Sequence, residues 1–89
     1  MISRTTSIFR QLYAALPEAI RVQAKKAYTL FLKDLYHPSL FFKKVHTKRP
    51  IYAARLSLDF RTVGIIDENE IVWFWIGKHS EYEQLLKRL

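Results

Sequence analysis

Three consecutive β-strands are predicted within residues 51–78, which read IYAARLSLDFRTVGIIDENEIVWFWIGK. Residues 51–58 alternate between two faces, as expected for a strand with one buried side. Residues 60–66 give the second strand and residues 70–76 the third, joined by the polar turn Asp67-Glu68-Asn69. The third strand is apolar at successive positions, so we expect it to be central in the sheet or covered on both faces.

A helical hairpin is predicted before these strands. Residues 5–7, Thr-Thr-Ser, are favourable N-cap residues for a first helix, which Pro17 interrupts. A longer amphipathic helix begins at Glu18 and is expected to end near Tyr36, because Pro38 cannot continue it. The two helices with their short joint therefore form a hairpin.

A short helix is predicted after the strands. Ser80 and Glu83 have the spacing of a capping box, so this helix should start at Ser80. Helices and strands are thus segregated along the chain, which is typical of an α+β fold. We expect the N-terminal helical hairpin to pack on a three- to four-stranded antiparallel sheet, in a single domain of residues 1–89.

Composition excludes several classes of protein. The 89 residues are 49% hydrophobic and include no cysteine, which excludes disordered chains, disulfide scaffolds and cysteine-based zinc or nucleophile sites. No apolar run approaches the roughly 20 residues that span a bilayer, so no membrane association is predicted. A cytoplasmic location is the simplest expectation.

Positive charge is concentrated in the first half of the chain. Residues 1–49 carry ten Lys and Arg side chains against two acidic ones, whereas residues 50–89 carry five against six. This asymmetry indicates a polyanionic partner, either a nucleic acid or an acidic protein. The alternative is a solvated basic face that maintains solubility.

The side chains available for chemistry are Arg, Lys, His and Tyr. The sequence has no glycine-rich phosphate loop or nucleophile elbow, and its three histidines lack metal-ligand spacing, so neither a metal nor a small-molecule cofactor is predicted. The available set suits RNA cleavage, because the substrate supplies its own 2′-hydroxyl nucleophile. The protein must then move protons and stabilise charge on the phosphate.

Four segments together resemble the RelE/ParE toxin superfamily. They are an aromatic-x-x-Arg strand at residues 52–55, a Phe-Arg strand within residues 59–64, an apolar strand leading to Gly-Lys-His and Tyr within residues 73–82, and the loop at residues 37–40. The resemblance implies the toxin of a bacterial toxin–antitoxin pair, held by an acidic antitoxin protein. RelE-like members cleave mRNA in the ribosomal A site without a metal, and ParE-like members inhibit DNA gyrase.

The resemblance also implies roles for individual residues. Arg61 matches the arginine that contacts the scissile phosphate, and Arg55 matches a basic residue of the active groove. His79 lies where RelE-like enzymes often have Arg or His, and the helix N-terminus favours a neutral imidazole there. Tyr82 lies near the C-terminal tyrosine of the family. The predicted RNA-binding residues are Lys43, Lys44, His46, Lys48, Arg49 and Lys78.

Two residues depart from the family pattern. Ala53 stands where a catalytic lysine is often found, and Phe60 replaces a tyrosine. These departures leave open a weaker enzyme, a different catalytic set, or a ParE-like or inactive relative that binds gyrase or another target. An unrelated basic nucleic-acid-binding module is a third alternative.

The candidate residues also have simpler interpretations. Arg61 could pair with Asp59 or Asp67 across a hairpin, and Arg55 could lie on a solvated sheet face. His79 and Tyr82 could serve only packing. Trp73 and Trp75 could stack on bases, although core packing is the expected role for aromatic residues within an apolar strand.

Overall fold

The computed structural model describes residues 1–89, which form five strands and three α-helices. A 3₁₀ turn precedes the second strand. The elements in chain order are β1 (Ile2–Thr5), α1 (Ser7–Ala14), α2 (Glu18–Lys33), the 3₁₀ turn (Pro38–Leu40), β2 (Lys43–Lys44), β3 (Ile51–Ser57), β4 (Phe60–Asp67), β5 (Glu70–Lys78) and α3 (His79–Arg88). The α+β class, the helical hairpin and the short last helix are therefore confirmed.

The sheet has five strands in the order β1-β5-β4-β3-β2. All neighbours are antiparallel except β1, which runs parallel to β5. The sequence predicted a sheet of three or four antiparallel strands, and this prediction did not include β1. This strand is short and mostly exposed, so it carries no alternating pattern; Ser3 fixes it by accepting a hydrogen bond from the indole Nε1 of Trp73 at 3.1 Å.

Local chemistry at the helix ends explains where each helix begins and stops. The hydroxyl of Thr6 caps α1 by accepting a hydrogen bond from the backbone N–H of Phe9 at 3.1 Å, as the sequence indicated. The second helix ends at Lys33 rather than near Tyr36, because Asp34 is already extended, with φ −158° and ψ 92°.

The predicted capping box at the last helix is wrong. The helix begins at His79 with Lys78 as its N-cap, and no side chain caps it. Ser80 therefore lies inside the first turn. Glu83 contacts the ring of His79, four residues earlier, instead of returning to a cap.

Apolar side chains pack on both faces of the sheet. One cluster joins the helical hairpin to the sheet and contains Phe31, Leu40, Ala54, Ile71 and Trp73. The other lies under α3 and contains Ile51, Ala53, Val63 and Tyr82. An irregularity where β5 passes Val63 and Gly64 allows both Phe74 and Trp75 to pack on the α3 side. The expectation that the third predicted strand is covered on both faces is confirmed, and both tryptophans serve core packing.

Gly64 is required by this packing, and its replacement tests the arrangement. A Cβ at Gly64 would lie 2.9 Å from Cε3 of Trp73 and 3.1 Å from the carbonyl oxygen of Val72. The backbone atom cannot move aside, so we expect Gly64→Ala to lower the free energy of unfolding by about 1–3 kcal/mol. Urea unfolding measures the change.

Gly77→Ala is the matched control. The nearest atoms to its Cβ would be those of the Trp75 ring, which is the end of a half-buried side chain rather than backbone. The loss should therefore be smaller than at Gly64. Equal losses of unfolding free energy in the two variants would contradict the conclusion that the backbone contact at Val72 requires glycine at position 64.

Candidate functional site

Two arginines face each other at the end of the β3–β4 hairpin. Arg55 of β3 is directly opposite Arg61 of β4, and Arg61 is in turn opposite Gly77 near the end of β5. His79 begins α3 two residues later and ties it to the hairpin, because its N–H donates to the carbonyl of Asp59 at 2.7 Å. The sheet register thus places the backbones of Arg55, Arg61 and His79 at the same end of the sheet.

The Arg61 guanidinium is held by backbone rather than by an acid. Its Nη1 donates to the carbonyl oxygens of Ser57 at 2.7 Å, Leu58 at 3.2 Å and Phe60 at 3.0 Å. The ion pair with Asp59 or Asp67 is not formed; the salt bridges of the chain are Arg4–Glu70 and His79–Glu83. Nη2 and Nε make no hydrogen bond within the chain, so this positioned cation retains free donors for a phosphate.

His79 is oriented by a neighbouring carboxylate. Its Nε2 lies 3.0 Å from Oε1 of Glu83 on the next turn of α3. Its Nδ1 is buried without a hydrogen-bond partner. The ring is about half exposed and Nδ1 is buried, so a ligand reaches His79 through Nε2 and must displace Glu83 from it.

Tyr82 is buried beneath this group of residues. Its ring lies 5.7 Å from the ring of His79 and 6.4 Å from that of Trp75. Burial raises the pKa of Tyr82; the positive charge of Arg61 opposes that rise, and the charge of Glu83 adds to it. The phenol is therefore protonated at neutral pH. Its hydroxyl makes no hydrogen bond within the chain and can donate one to a ligand.

The predicted RNA-binding residues fall into three places. Lys43 and Lys44 form the exposed edge strand β2, and Lys48 and Arg49 lie in the exposed loop before β3. Lys78 is also exposed but lies beside the hairpin end, opposite Phe60. The structure therefore brings Lys78, rather than the basic cluster, next to Arg61 and His79.

His46 has a structural role in this arrangement. Its Nδ1 accepts hydrogen bonds from the backbone N–H groups of Lys48 and Arg49, at 3.1 and 2.9 Å. Its Nε2 donates to the carbonyl oxygen of Leu89 at 3.0 Å. Both ring nitrogens are thus engaged, and the imidazole shapes the basic loop and connects it to the end of α3.

The position of Ala53 can be related to a lysine on the neighbouring strand. Ala53 is buried in the cluster under α3, on the same face of the sheet as Val63. Lys43 is directly opposite it across the β2–β3 pairing. Directly opposite residues of an antiparallel pair project on the same side, so Lys43 supplies a cation beside the position where the family often has one. The sequence alone gave no register from which to find this.

A large apolar groove lies on the other face of the sheet. Its volume is about 600 Å³, and it opens between the helical hairpin and the strands. Aromatic side chains make up much of its wall, and charged ones lie among them. The residues that matter below are Arg4, Phe9, Tyr13, Lys25, Tyr28 and Trp73.

The chain offers no assembled metal site, since no three His, Asp or Glu side chains lie close enough to hold an ion together. None of its helices has the length and apolarity that crossing a bilayer would require.

Solved structures of toxins share this fold. The RelB–RelE antitoxin–toxin complex of Methanococcus jannaschii aligns with a TM-score of 0.74 over 92% of this chain and 96% of that chain, at 13% identity. YafQ of E. coli aligns at 0.72 over 90% and 94%, at 10% identity. The isolated E. coli RelE toxin aligns at 0.68 over 98% and 96%, at 18% identity. The sequence matches no protein-family model and no curated protein. The chain therefore has the RelE-like toxin fold.

The electrostatic coupling around Tyr82 can be measured. Arg61→Gln removes the positive charge that holds the phenol pKa down, so we expect the pKa of Tyr82 to rise further. Glu83→Gln removes the negative charge and should lower it. The ¹³Cζ shift of Tyr82, followed by NMR against pH, reports both changes. Shifts of the same sign in the two variants would contradict this arrangement.

Proposed function

We propose that this chain is the toxin of a toxin–antitoxin pair and acts in the cytoplasm as an endoribonuclease on ribosome-bound mRNA. One observation carries the proposal: Arg61, His79 and Tyr82 converge at the hairpin end of a RelE-like fold. Cleavage at this site inhibits translation and needs no metal, because the RNA supplies the nucleophile.

The reaction is an attack by the substrate on itself. The 2′-hydroxyl loses its proton to the imidazole of His79 and forms a bond to the adjacent phosphorus. The bond to the 5′ oxygen of the next nucleotide breaks, this oxygen takes the proton back from the imidazole, and a 2′,3′-cyclic phosphate remains. The phosphate gains negative charge in the transition state. Arg61 stabilises this charge through Nη2 and Nε, and its contacts to three carbonyls fix the guanidinium before the substrate arrives.

Proton transfer falls to His79 and Tyr82. The imidazole exchanges its proton through Nε2, which must leave the carboxylate of Glu83 when the RNA binds. The protonated phenol of Tyr82 donates a hydrogen bond to a phosphate oxygen, which its raised pKa favours at neutral pH. Lys43 and Lys78 add attraction for the RNA backbone.

A second function is favoured by Ala53. This buried methyl group stands in place of a lysine that a nuclease of this fold often uses, and Lys43 reaches the area only from the neighbouring strand. A ParE-like or inactive relative would keep the fold and bind DNA gyrase or another target without cleaving RNA. Growth arrest without mRNA cuts would favour that alternative.

Replacement of Arg61 tests the nuclease. Arg61→Ala should slow mRNA cleavage by about 10²–10⁴-fold and abolish growth arrest on induced expression, because it removes the charge that meets the transition state. Primer extension maps the cuts and their number. Cuts that persist in Arg61→Ala would contradict the role of this residue.

Two controls separate chemistry from folding. Arg61 also supports the hairpin, so the thermal midpoint of each variant must be compared with that of the wild type. Arg49→Ala removes an exposed arginine of the basic loop and should retain cutting, with an effect limited to RNA affinity. His79→Ala gives a second catalytic variant that leaves the contacts of Arg61 in place.

The partner is proposed to be an acidic antitoxin that covers the groove. The groove is apolar, and most of the residues that line it lie within residues 1–49, which carry most of the positive charge. An amphipathic segment can bury its apolar face against Phe9, Tyr13 and Tyr28, and its acidic residues can meet Arg4 and Lys25. Solved relatives contain a RelB antitoxin bound to RelE, which supports this proposal.

Replacement of Tyr28 tests the groove. Tyr28 is 43% exposed on α2 and lines the groove, whereas Leu32 is 57% exposed on the same helix and lies outside it. Tyr28→Ala should weaken the antitoxin complex by about 10-fold or more, and Leu32→Ala should not. Calorimetry at two salt concentrations measures both effects and the ionic contribution. Equal losses, or a complex insensitive to salt, would contradict the proposal.

A further inference from the structure

Phe41 has an unusual conformation for an aromatic residue. Its φ is 45° and its ψ 40°, in the left-handed region that favours glycine or asparagine. Its side chain is 59% exposed. This backbone conformation destabilises the fold at a residue other than glycine, and such strained positions are concentrated at functional sites.

Both neighbours of Phe41 are anchored in the core. Leu40 is 2% exposed and belongs to the core cluster under the helical hairpin. Phe42 also packs on that cluster, with its ring 5.5 Å from Phe31 and 5.1 Å from Tyr52. Phe41 lies between these two anchors, where the 3₁₀ turn ends, and presents its own ring to solvent.

The exposed ring supports Arg55. The guanidinium carbon of Arg55 lies 5.1 Å from the centre of the Phe41 ring, in a cation–π contact. At this level β3 is the edge of the sheet, because β2 pairs only with Tyr52 and Ala53. The side chain of Arg55 thus extends from the sheet edge towards Phe41. The side chain of Arg61, on the opposite strand, extends towards the hairpin carbonyls.

Arg55 also forms part of a shallow pocket between α2, the 3₁₀ turn and β3. The pocket has a volume of about 230 Å³ and no acidic residue in its wall. Its polar residues are Gln23, Lys26, Ser39 and Arg55, and its apolar ones are Ala27, Leu30, Leu40 and Leu56. The hydroxyl of Ser39 lies 2.9 Å from Nδ1 of His37, which fixes the turn that forms one wall.

We propose that this pocket binds a nucleobase of the RNA substrate, stacked on the Arg55 guanidinium that Phe41 supports. The inference rests on the proposed nuclease function and extends it to a neighbouring nucleotide. Bases of single-stranded RNA stack on aromatic rings and on arginine planes, and they are read by hydrogen bonds along their edges. Gln23 and Ser39 provide groups for that reading, and Lys26 and Arg55 attract the backbone.

The register of the sheet sets which part of the RNA is bound. Arg55 and Arg61 are directly opposite on strands about 4.8 Å apart. Their guanidinium groups turn apart, so a base held at Arg55 belongs to the same short stretch of RNA as the phosphate held at Arg61. The pocket selects that nucleotide and positions the scissile bond, so its loss should impair cleavage without removing any group that reacts.

The test measures single-turnover cleavage of a synthetic mRNA on ribosomes with an open A site. Phe41→Leu keeps an apolar side chain but removes the aromatic support, and it should slow cleavage by about 10-fold. Phe41→Trp should restore most of the rate. An mRNA with an abasic site at the stacked nucleotide should be cleaved slowly by the wild type, and Phe41→Leu should slow it no further.

Two further variants control for folding and for general surface effects. Phe41→Gly suits the left-handed backbone, so its thermal midpoint should not fall although its cleavage rate does. Tyr36→Leu removes another aromatic ring, 81% exposed and outside the pocket, and should leave cleavage unchanged.

Each outcome gives a distinct answer. Equal rates for the wild type and Phe41→Leu would overturn the base-binding pocket and leave the nuclease function intact. No cleavage by the wild type would overturn both. Unchanged cleavage with a weakened antitoxin complex would assign the Phe41 surface to the antitoxin and overturn the inference.

Discussion

The site depends on two arginines placed directly opposite each other with no acid between them. Like charges in this position destabilise a sheet, so the pair must be accommodated by other contacts. Arg61 turns to three hairpin carbonyls, and Arg55 turns to the ring of Phe41. Both solutions keep the positive charge while separating the two guanidinium groups. A bound anion such as a phosphate would relieve the repulsion that remains between the two guanidinium groups.

The two faces of the sheet carry different tasks, and β5 contributes to both. Trp73 and Ile71 pack towards the helical hairpin and the groove, while Trp75 packs with Tyr82 under α3. The local irregularity in β5 changes which face successive residues occupy. The strand that lines the groove is therefore the same strand that packs against Tyr82 on the opposite face.

Much of the fold could be predicted because its signals are local. The N-cap before α1 and the alternation of the three central strands are properties of neighbouring residues, and these predictions are confirmed. The strand β1 escaped notice because Ser3 and Arg4 are held by partners some 70 residues away. The capping box failed because Glu83 had a better partner in His79.

The site was less predictable, since its geometry comes from register. The resemblance named Arg55, Arg61, His79 and Tyr82, but only the strand pairing and the packing of α3 show how their backbones are placed at one end of the sheet. The register that places Arg55 opposite Arg61 has no signature in composition, and neither has the irregularity between Arg55 and Ser57 that follows this pair. The left-handed turn at Phe41 has none either, because no glycine or asparagine marks it.

The parallel pairing of β1 with β5 also sets the order of assembly. The first strand to be synthesised must wait for the last, so the sheet cannot close while the chain is only partly translated. The complete sheet therefore forms only after most of the chain has left the exit tunnel.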